Sequence, residues 1–209
     1  MLEEKAYQQI KEMIREGHYS AGDVLSENEL CKTLSMSRTP VRVAINRLAT
    51  EGFVYRQKGH FTTLRVITTA DIHNFFQFSL AVEEYAVRYM YETQGTFPLQ
   101  QMLDLIKKQE ESVNQNDSRS YLQLDHAYHI TICSVLGNKE IEKSMDNLWE
   151  KIVLLVYPSL YERHARIGAE SIHEHTALYE CLATNKTLDL TLESLRQHNH
   201  NARNRLLVR

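Results

Sequence analysis

Ser37-Arg38-Thr39-Pro40-Val41-Arg42 lies between Gly22-Asp23-Val24-Leu25-Ser26-Glu27-Asn28-Glu29-Leu30 and Arg47-Leu48-Ala49-Thr50-Glu51-Gly52-Phe53-Val54. Ser26 and Glu29 have the spacing of a capping box, which starts a helix that buries Leu30 and Leu34. Ser37 is placed to cap the next helix. Pro40 falls in its first turn, where a missing N–H costs little, and Gly52 closes it. Val41, Ile45 and Leu48 form the inner stripe of that helix. Arg38 and Arg42, four apart, share its outer face, with Thr39 beside them. Phe53–Gln57 and Phe61–Val66 read as strands around a wing at Lys58-Gly59. Two short helices and a hairpin, the second helix carrying arginines outward, form the arrangement with which a winged helix-turn-helix enters a DNA major groove.

The residue types suit that task. A guanidinium binds guanine O6 and N7 with two bonds or clamps a phosphate. The helix N-terminus can hold a phosphate, with Ser37 or Thr39 assisting. Gly59 at the wing tip lets backbone approach the minor groove, with Lys58 and His60 alongside. Upstream, a helix from about Glu3 to Glu16 turns Ile10, Met13 and Ile14 inward and stops at Gly17.

From Thr68 onward the pattern is helical throughout. Helices are expected from Thr68 to near Gly95, from Pro98 to about Asn114, and from Ser118 to Leu136. The next runs from Gly137-Asn138 to about Arg163, with Pro158 kinking or ending it. The last two are expected over Gly168–Thr184 and Leu188–Leu207. The fold class is therefore mainly α. A winged helix-turn-helix with a small β-hairpin wing occupies residues 1–67, and an all-α helical bundle occupies 68–209.

Bulk properties agree with this division. The chain has 209 residues and a net charge of −3, but residues 1–66 carry 10 Lys/Arg against 8 Asp/Glu, while the remainder carries 14 against 19. DNA binding requires a basic face rather than a basic chain, and so modest a local excess implies that a dimer combines two such faces. No apolar run approaches the roughly 18 residues of a membrane span, and Glu3, Glu4 and Lys5 stand where a signal peptide's apolar region would begin. Cys31, Cys133 and Cys181 are odd in number and far apart. The expectation is a cytoplasmic protein with buried free thiols and no membrane partner.

Ten histidines are many for this length. Asp125 and His129 stand four apart on one helix face, a usual way for a helix to offer two metal ligands. His175 and His198 each lie on one of the last two helices. An Asp with three imidazoles suits Zn²⁺, Ni²⁺ or Mn²⁺ with coordination positions left open. His173 and His175 are two apart, as are His198 and His200. Only one of each pair can face a shared site, and spacing does not choose between them.

The first segment resembles the winged helix of the GntR family of bacterial transcription regulators. The resemblance is carried by Gly22-Asp23, Leu25, Glu29-Leu30, Ser37 through Arg42, Ala44, Arg47-Leu48, Glu51-Gly52 and Gly59. It implies base and phosphate contacts from Asn28, Ser37, Arg38, Thr39, Arg42 and Gly59. The family often has Arg at the position of Asn28, and Asn either pairs with adenine or contacts phosphate. Residues 70–207 resemble the FadR-type (FCD) ligand-binding domain, through Asp125-x-x-Tyr128-His129, Leu136-Gly137-Asn138, Glu174-His175 and His198. That likeness implies a divalent metal, Zn or Ni, held by Asp125, His129, His175 and His198. It also implies an effector contact at Ser79 and Glu83, where many relatives have an Arg four residues before the Glu.

The expected function is a homodimeric regulator that binds double-stranded operator DNA and responds to a small-molecule effector. The alternative from another class is a metal-dependent hydrolase with an accessory winged helix, although no His-Glu-x-x-His motif is present. A third is a dimerisation domain with no effector.

Overall fold

The computed structural model describes residues 1–56, 61–155 and 164–207. By packing, the chain falls into two units. The first is Met1–Thr68 with Glu150–Pro158, and the second is Thr69–Trp149 with Ser159–Arg209. Among the described residues no helix is long and apolar enough to cross a membrane.

The first unit opens with α1 (Leu2–Arg15), which buries Ala6, Tyr7, Ile10 and Ile14 along one stripe. The chain then turns through Gly17 at φ +78°. Next come β1 (Val24–Leu25), α2 (Glu27–Leu34), α3 (Arg38–Glu51), β2 (Val54–Arg56) and β3 (Thr62–Leu64). The Ser26 hydroxyl accepts from the Glu29 N–H at 3.4 Å, the first half of the capping box. Ser37 occupies the N-cap of α3 with extended backbone, but its hydroxyl makes no cap hydrogen bond, contrary to the expected role. Gly52 ends α3 in the left-handed region at φ +81°.

The sheet has a strand more than the hairpin expected. Its order is β1-β3-β2, all antiparallel, with Val24 opposite Thr63 and Tyr55 opposite Thr63 on the other side. A two-residue strand has no alternation to read, so sequence periodicity could not announce β1. Gln57, Lys58, Gly59 and His60, the expected wing tip, lie outside the described residues.

Ile10, Ile14, Leu30, Val41, Ile45, Leu48, Phe53 and Leu64 form the core of this unit, and Leu154 is buried with them. Lys11 is also buried. Its ammonium pairs with Glu150, donates to the Tyr7 hydroxyl at 3.0 Å, and lies 5.1 Å from the Phe53 ring centroid. A buried cation is tolerated because it is paired and hydrogen-bonded.

The second unit is helical: α4 (Thr69–Thr93), α5 (Leu99–Asn114), α6 (Ser118–Ser134), the first turns of α7 (Lys139–Leu155), α8 (His164–Ala183) and α9 (Leu188–Leu207). Helix α5 packs on α6 and α8, α4 on α9, and α8 on α9. Asp117 caps α6 by accepting from the Ser120 N–H at 3.0 Å. Helix α8 begins at His164, earlier than Gly168, the expected start. A Cβ on Gly168 would stand 2.7 Å from Val113 Cγ2 of α5 and 3.4 Å from the Tyr121 ring of α6. That glycine marks a close helix approach, not a helix end. The expected helix end near Arg163 and the kink at Pro158 lie outside the described residues. The three thiols are free, but only Cys133 is buried; Cys31 and Cys181 are half-buried.

Candidate metal centre and DNA-reading face

Helix α6 presents Asp125 and His129 on one face, α8 presents His175, and α9 presents His198. One nitrogen from each of the three imidazoles lies within 4.8 Å of the other two. His198 Nε2 stands 3.3 Å from His129 Nε2, and His175 Nε2 stands 3.7 Å from Asp125 Oδ1. His173 and His200 are exposed and take no part; His200 bonds instead to Asn204 at 2.8 Å.

Each ring is held from behind through its Nδ1. His129 Nδ1 meets Glu83 Oε2 of α4 at 3.1 Å, His175 Nδ1 meets Gln109 Oε1 of α5 at 2.9 Å, and His198 Nδ1 meets Glu174 Oε2 of α8 at 2.8 Å. Gln109 donates its amide N–H to the Leu124 carbonyl at 3.1 Å, so its oxygen faces His175. His175 Nδ1 therefore carries the proton, and Nε2 presents a lone pair. That Nε2 is buried and has no hydrogen-bond partner. Burial, and then the neighbouring His198 and His129, push His175 well below the ordinary imidazole range, so the ring is neutral.

Burial alone disfavours the cationic form of His129, but the Glu83 carboxylate outweighs it and raises His129 to about 9. A proton between His129 and His198 thus satisfies two nitrogens that would otherwise turn lone pairs on each other at 3.3 Å. A divalent cation would do the same for all three rings. Two metal–nitrogen bonds of about 2.0–2.1 Å at a tetrahedral angle separate their nitrogens by about 3.3 Å. The orphaned His175 Nε2, the spacing of the other two, and a carboxylate or amide oxygen behind every ring are what a metal site requires of its ligands and their supports.

Ser79 and Glu83, the expected effector contacts, are both buried on α4. The Ser79 hydroxyl donates to Glu83 Oε1, while Glu83 Oε2 holds His129. Asp125 Oδ1 accepts from the Tyr121 hydroxyl at 3.1 Å. Tyr128 donates to the His175 carbonyl at 2.9 Å and stacks on its ring.

Sequence reasoning did not find Gln109, Arg205 or Asn201. Arg205 grips both oxygens of Glu174 at 2.8 Å, and Asn201 donates to it at 2.8 Å. Burial favours the neutral acid, but the bonds from Arg205, His198 and Asn201 outweigh it and hold Glu174 at about 2. His198, Asn201 and Arg205 recur at i, i+3 and i+7 along α9, a signal that was available. Gln109 gave none.

In the first unit, Asn28, Ser37, Arg38, Thr39 and Arg42 are all exposed, and Arg38 and Arg42 have no ion-pair partner among the described residues. Arg47 differs. It pairs with Glu4 at 2.7 Å and Glu51 at 2.9 Å, and its guanidinium lies 3.7 Å from the Tyr7 ring centroid. Arg56, at the base of the wing, donates to Asn46 of α3 and to Glu27 of α2, the latter at 3.0 Å.

Residues 2–63 match the family model of bacterial regulatory proteins of the gntR family, and residues 74–201 match that of the FCD domain. The chain belongs to the GntR family, in its FCD-containing branch. Among curated relatives of this GntR chain, the Nta operon transcriptional regulator of Aminobacter aminovorans is 30% identical over 137 residues, covering 65% of this chain and 64% of the relative. The uncharacterized HTH-type regulator YdhC of Bacillus subtilis is 20% identical and is likewise covered over 64% of its length. The chain thus spans just under two thirds of these two relatives. The gluconate operon transcriptional repressor of Bacillus licheniformis is 24% identical, covering 91% of this chain and 79% of that protein. A GntR structure from Rhodococcus sp. RHA1 shares the fold at a TM-score of 0.80 and 20% identity, over 98% of this chain and 97% of the other.

Glu174 also yields a test of the support behind His198. Its pKa is lowered in the folded chain, so its pairing stabilises the fold at neutral pH and is lost as pH falls through its folded value. In chelator-treated protein, Glu174→Gln should melt below wild type at neutral pH. That gap should close between about pH 5 and about pH 2, as the wild-type carboxyl takes up its proton. A gap that stays constant on circular-dichroism melts would show that the carboxylate charge contributes nothing.

Proposed function

We propose that this chain is a homodimeric, DNA-binding transcription regulator whose operator affinity responds to a small molecule bound at a divalent metal. The observation that carries the reading is the division of labour on α3. Arg47 is spent on Glu4, Glu51 and Tyr7, while Arg38 and Arg42 stand exposed beside Thr39 and Ser37, with no ion-pair partner among the described residues. Free guanidiniums at the start of an exposed helix suit guanine edges and phosphates. That two of the relatives are named as operon regulators supports the same reading, and it lends nothing to the hydrolase alternative.

In this reading Asn28 and the wing residues Lys58 and Gly59 add contacts around those of α3. The ligands of a Zn²⁺ or Ni²⁺ ion are Asp125, His129, His175 and His198. The metal, when bound, supplies a Lewis-acidic centre able to take an oxygen donor such as a carboxylate. Ser79 and Glu83 act on that site through the His129 ring, which they orient. The protein works in the cytoplasm, with no membrane partner. Two copies are required because a palindromic operator is engaged at both half-sites together, and effector binding alters how well the pair fits.

Arg38→Ala and Arg42→Ala should each cost about 1–3 kcal/mol of specific DNA affinity, with relaxed sequence preference if the residue reads a base. Unchanged affinity and selectivity in both variants, measured by gel shift on duplexes selected by the wild type, would refute the DNA-reading face.

Light scattering of the full chain should give the mass of a dimer at micromolar concentration. A monomer there would contradict the two-fold arrangement.

The metal should survive purification from metal-supplemented growth, and His129→Ala should lose it while keeping the winged helix folded and able to bind DNA. Equal metal content in wild type and variant, or none in either, would reduce these histidines to a hydrogen-bonded polar core.

A further inference from the structure

Helix α3 buries Pro40, Val41, Ala44, Ile45 and Leu48. At about 100° per residue, the centre of the opposite face falls on Thr39 and Asn46, with Arg42 and Val43 about 50° to either side. Their side chains are not equally available. Asn46 Oδ1 accepts from Arg56, and Arg47 is held by Glu4 and Glu51. Val43 is 45% exposed. Valine is a poorer helix former than alanine, and here it gains little burial in return. Its single preferred χ1 in a helix also holds the two methyl groups rigidly outward.

The surroundings indicate what covers it. Arg38 and Arg42 stand nearby without ion-pair partners among the described residues, so a polyanion fits this face better than an apolar protein surface. Within a DNA major groove the one apolar group on a base edge is the C5-methyl of thymine. We infer that Val43 reads a thymine methyl, beside Thr39 and on the flank of the outer face opposite Arg42, and so fixes one thymine in each operator half-site. The inference rests on the DNA-binding reading above and adds a sequence requirement that the arginines do not impose.

The test uses the full chain and duplexes it selects from a random library. In a selected duplex, each thymine of one half-site is replaced in turn by deoxyuridine, which removes only the methyl group. At one position this should weaken wild-type binding by about threefold to tenfold, the scale of one buried methyl contact. Val43→Ala should bind the thymine duplex about as weakly, and should not distinguish thymine from uracil at that position. Its melting temperature should be at or slightly above that of wild type, because the side chain is exposed and alanine is the better helix former. Val43→Ile, which keeps the branched surface, should retain the distinction. If every methyl effect persists undiminished in Val43→Ala, or if no thymine shows one, this inference fails while selective DNA binding stands. If the library yields no enriched sequence at all, the DNA-binding reading fails and this inference with it.

Discussion

Three imidazoles do not gather in a protein interior unaided. Each is polar, each loses water on burial, and a buried polar nitrogen without a partner costs about 1–3 kcal/mol. The second unit meets this by giving every ring a fixed acceptor at Nδ1: Glu83 from α4, Gln109 from α5 and Glu174 from α8. Those bonds choose the tautomer and direct the Nε2 atoms of His129, His175 and His198 at one another. The bundle is thus organised around a polar centre as much as an apolar one. Gly168 allows α8 to approach α5 and α6 closely, the same three helices that supply His175, Gln109, Asp125 and His129.

The first unit solves a different problem with the same economy of charge. Its arginines are divided between holding the fold and facing solvent. Arg47 ties α3 to α1 through Glu4, Glu51 and Tyr7, and Arg56 ties the wing base to α2 and α3. Ion pairs this exposed are individually worth little. Their effect is geometric, because they fix the helix that presents Arg38, Thr39, Arg42 and Val43 outward. A reading helix that wandered would pay for its ordering on binding, whereas a fixed one has little left to lose.

Much of this was legible in the sequence because it lies in local chemistry. The Ser26–Glu29 spacing, the left-handed Gly52 and the Val41, Ile45, Leu48 stripe each state a helix boundary or face, and each reappears in the structure. Asp125 and His129 at i and i+4 announced one wall of the site. What was not legible depends on contacts far apart in the chain. The strand Val24–Leu25 exists only because Thr62 and Thr63 pair with it. Gly168 looked like a helix start because a glycine that relieves a crossing and one that flanks a helix are the same letter. Gln109, a neutral amide among the charged residues of α5, holds His175 from 66 positions away. The choice of His175 over His173, and of His198 over His200, follows from which helix face packs inward.

The support behind the rings differs in kind from one to the next, and that difference has a chemical consequence. Glu83 and Glu174 are carboxylates, whereas Gln109 is neutral. A carboxylate behind an imidazole makes its far nitrogen a stronger donor and tolerates positive charge on the ring. An amide orients the ring without inviting a second proton. His129, backed by Glu83, therefore carries a proton readily, while His175, backed by Gln109 and fully buried, stays neutral. In a protein without metal, one proton shared near His129 and His198 balances the centre and leaves His175 Nε2 as its unmet cost. In the proposed metal-bound protein, His129 and His198 would give up that proton and the orphaned His175 nitrogen would become a ligand. Binding then removes a cost that the fold otherwise carries. A site built in this way stabilises the bundle when filled, because whatever binds the folded state alone shifts the folding equilibrium toward it.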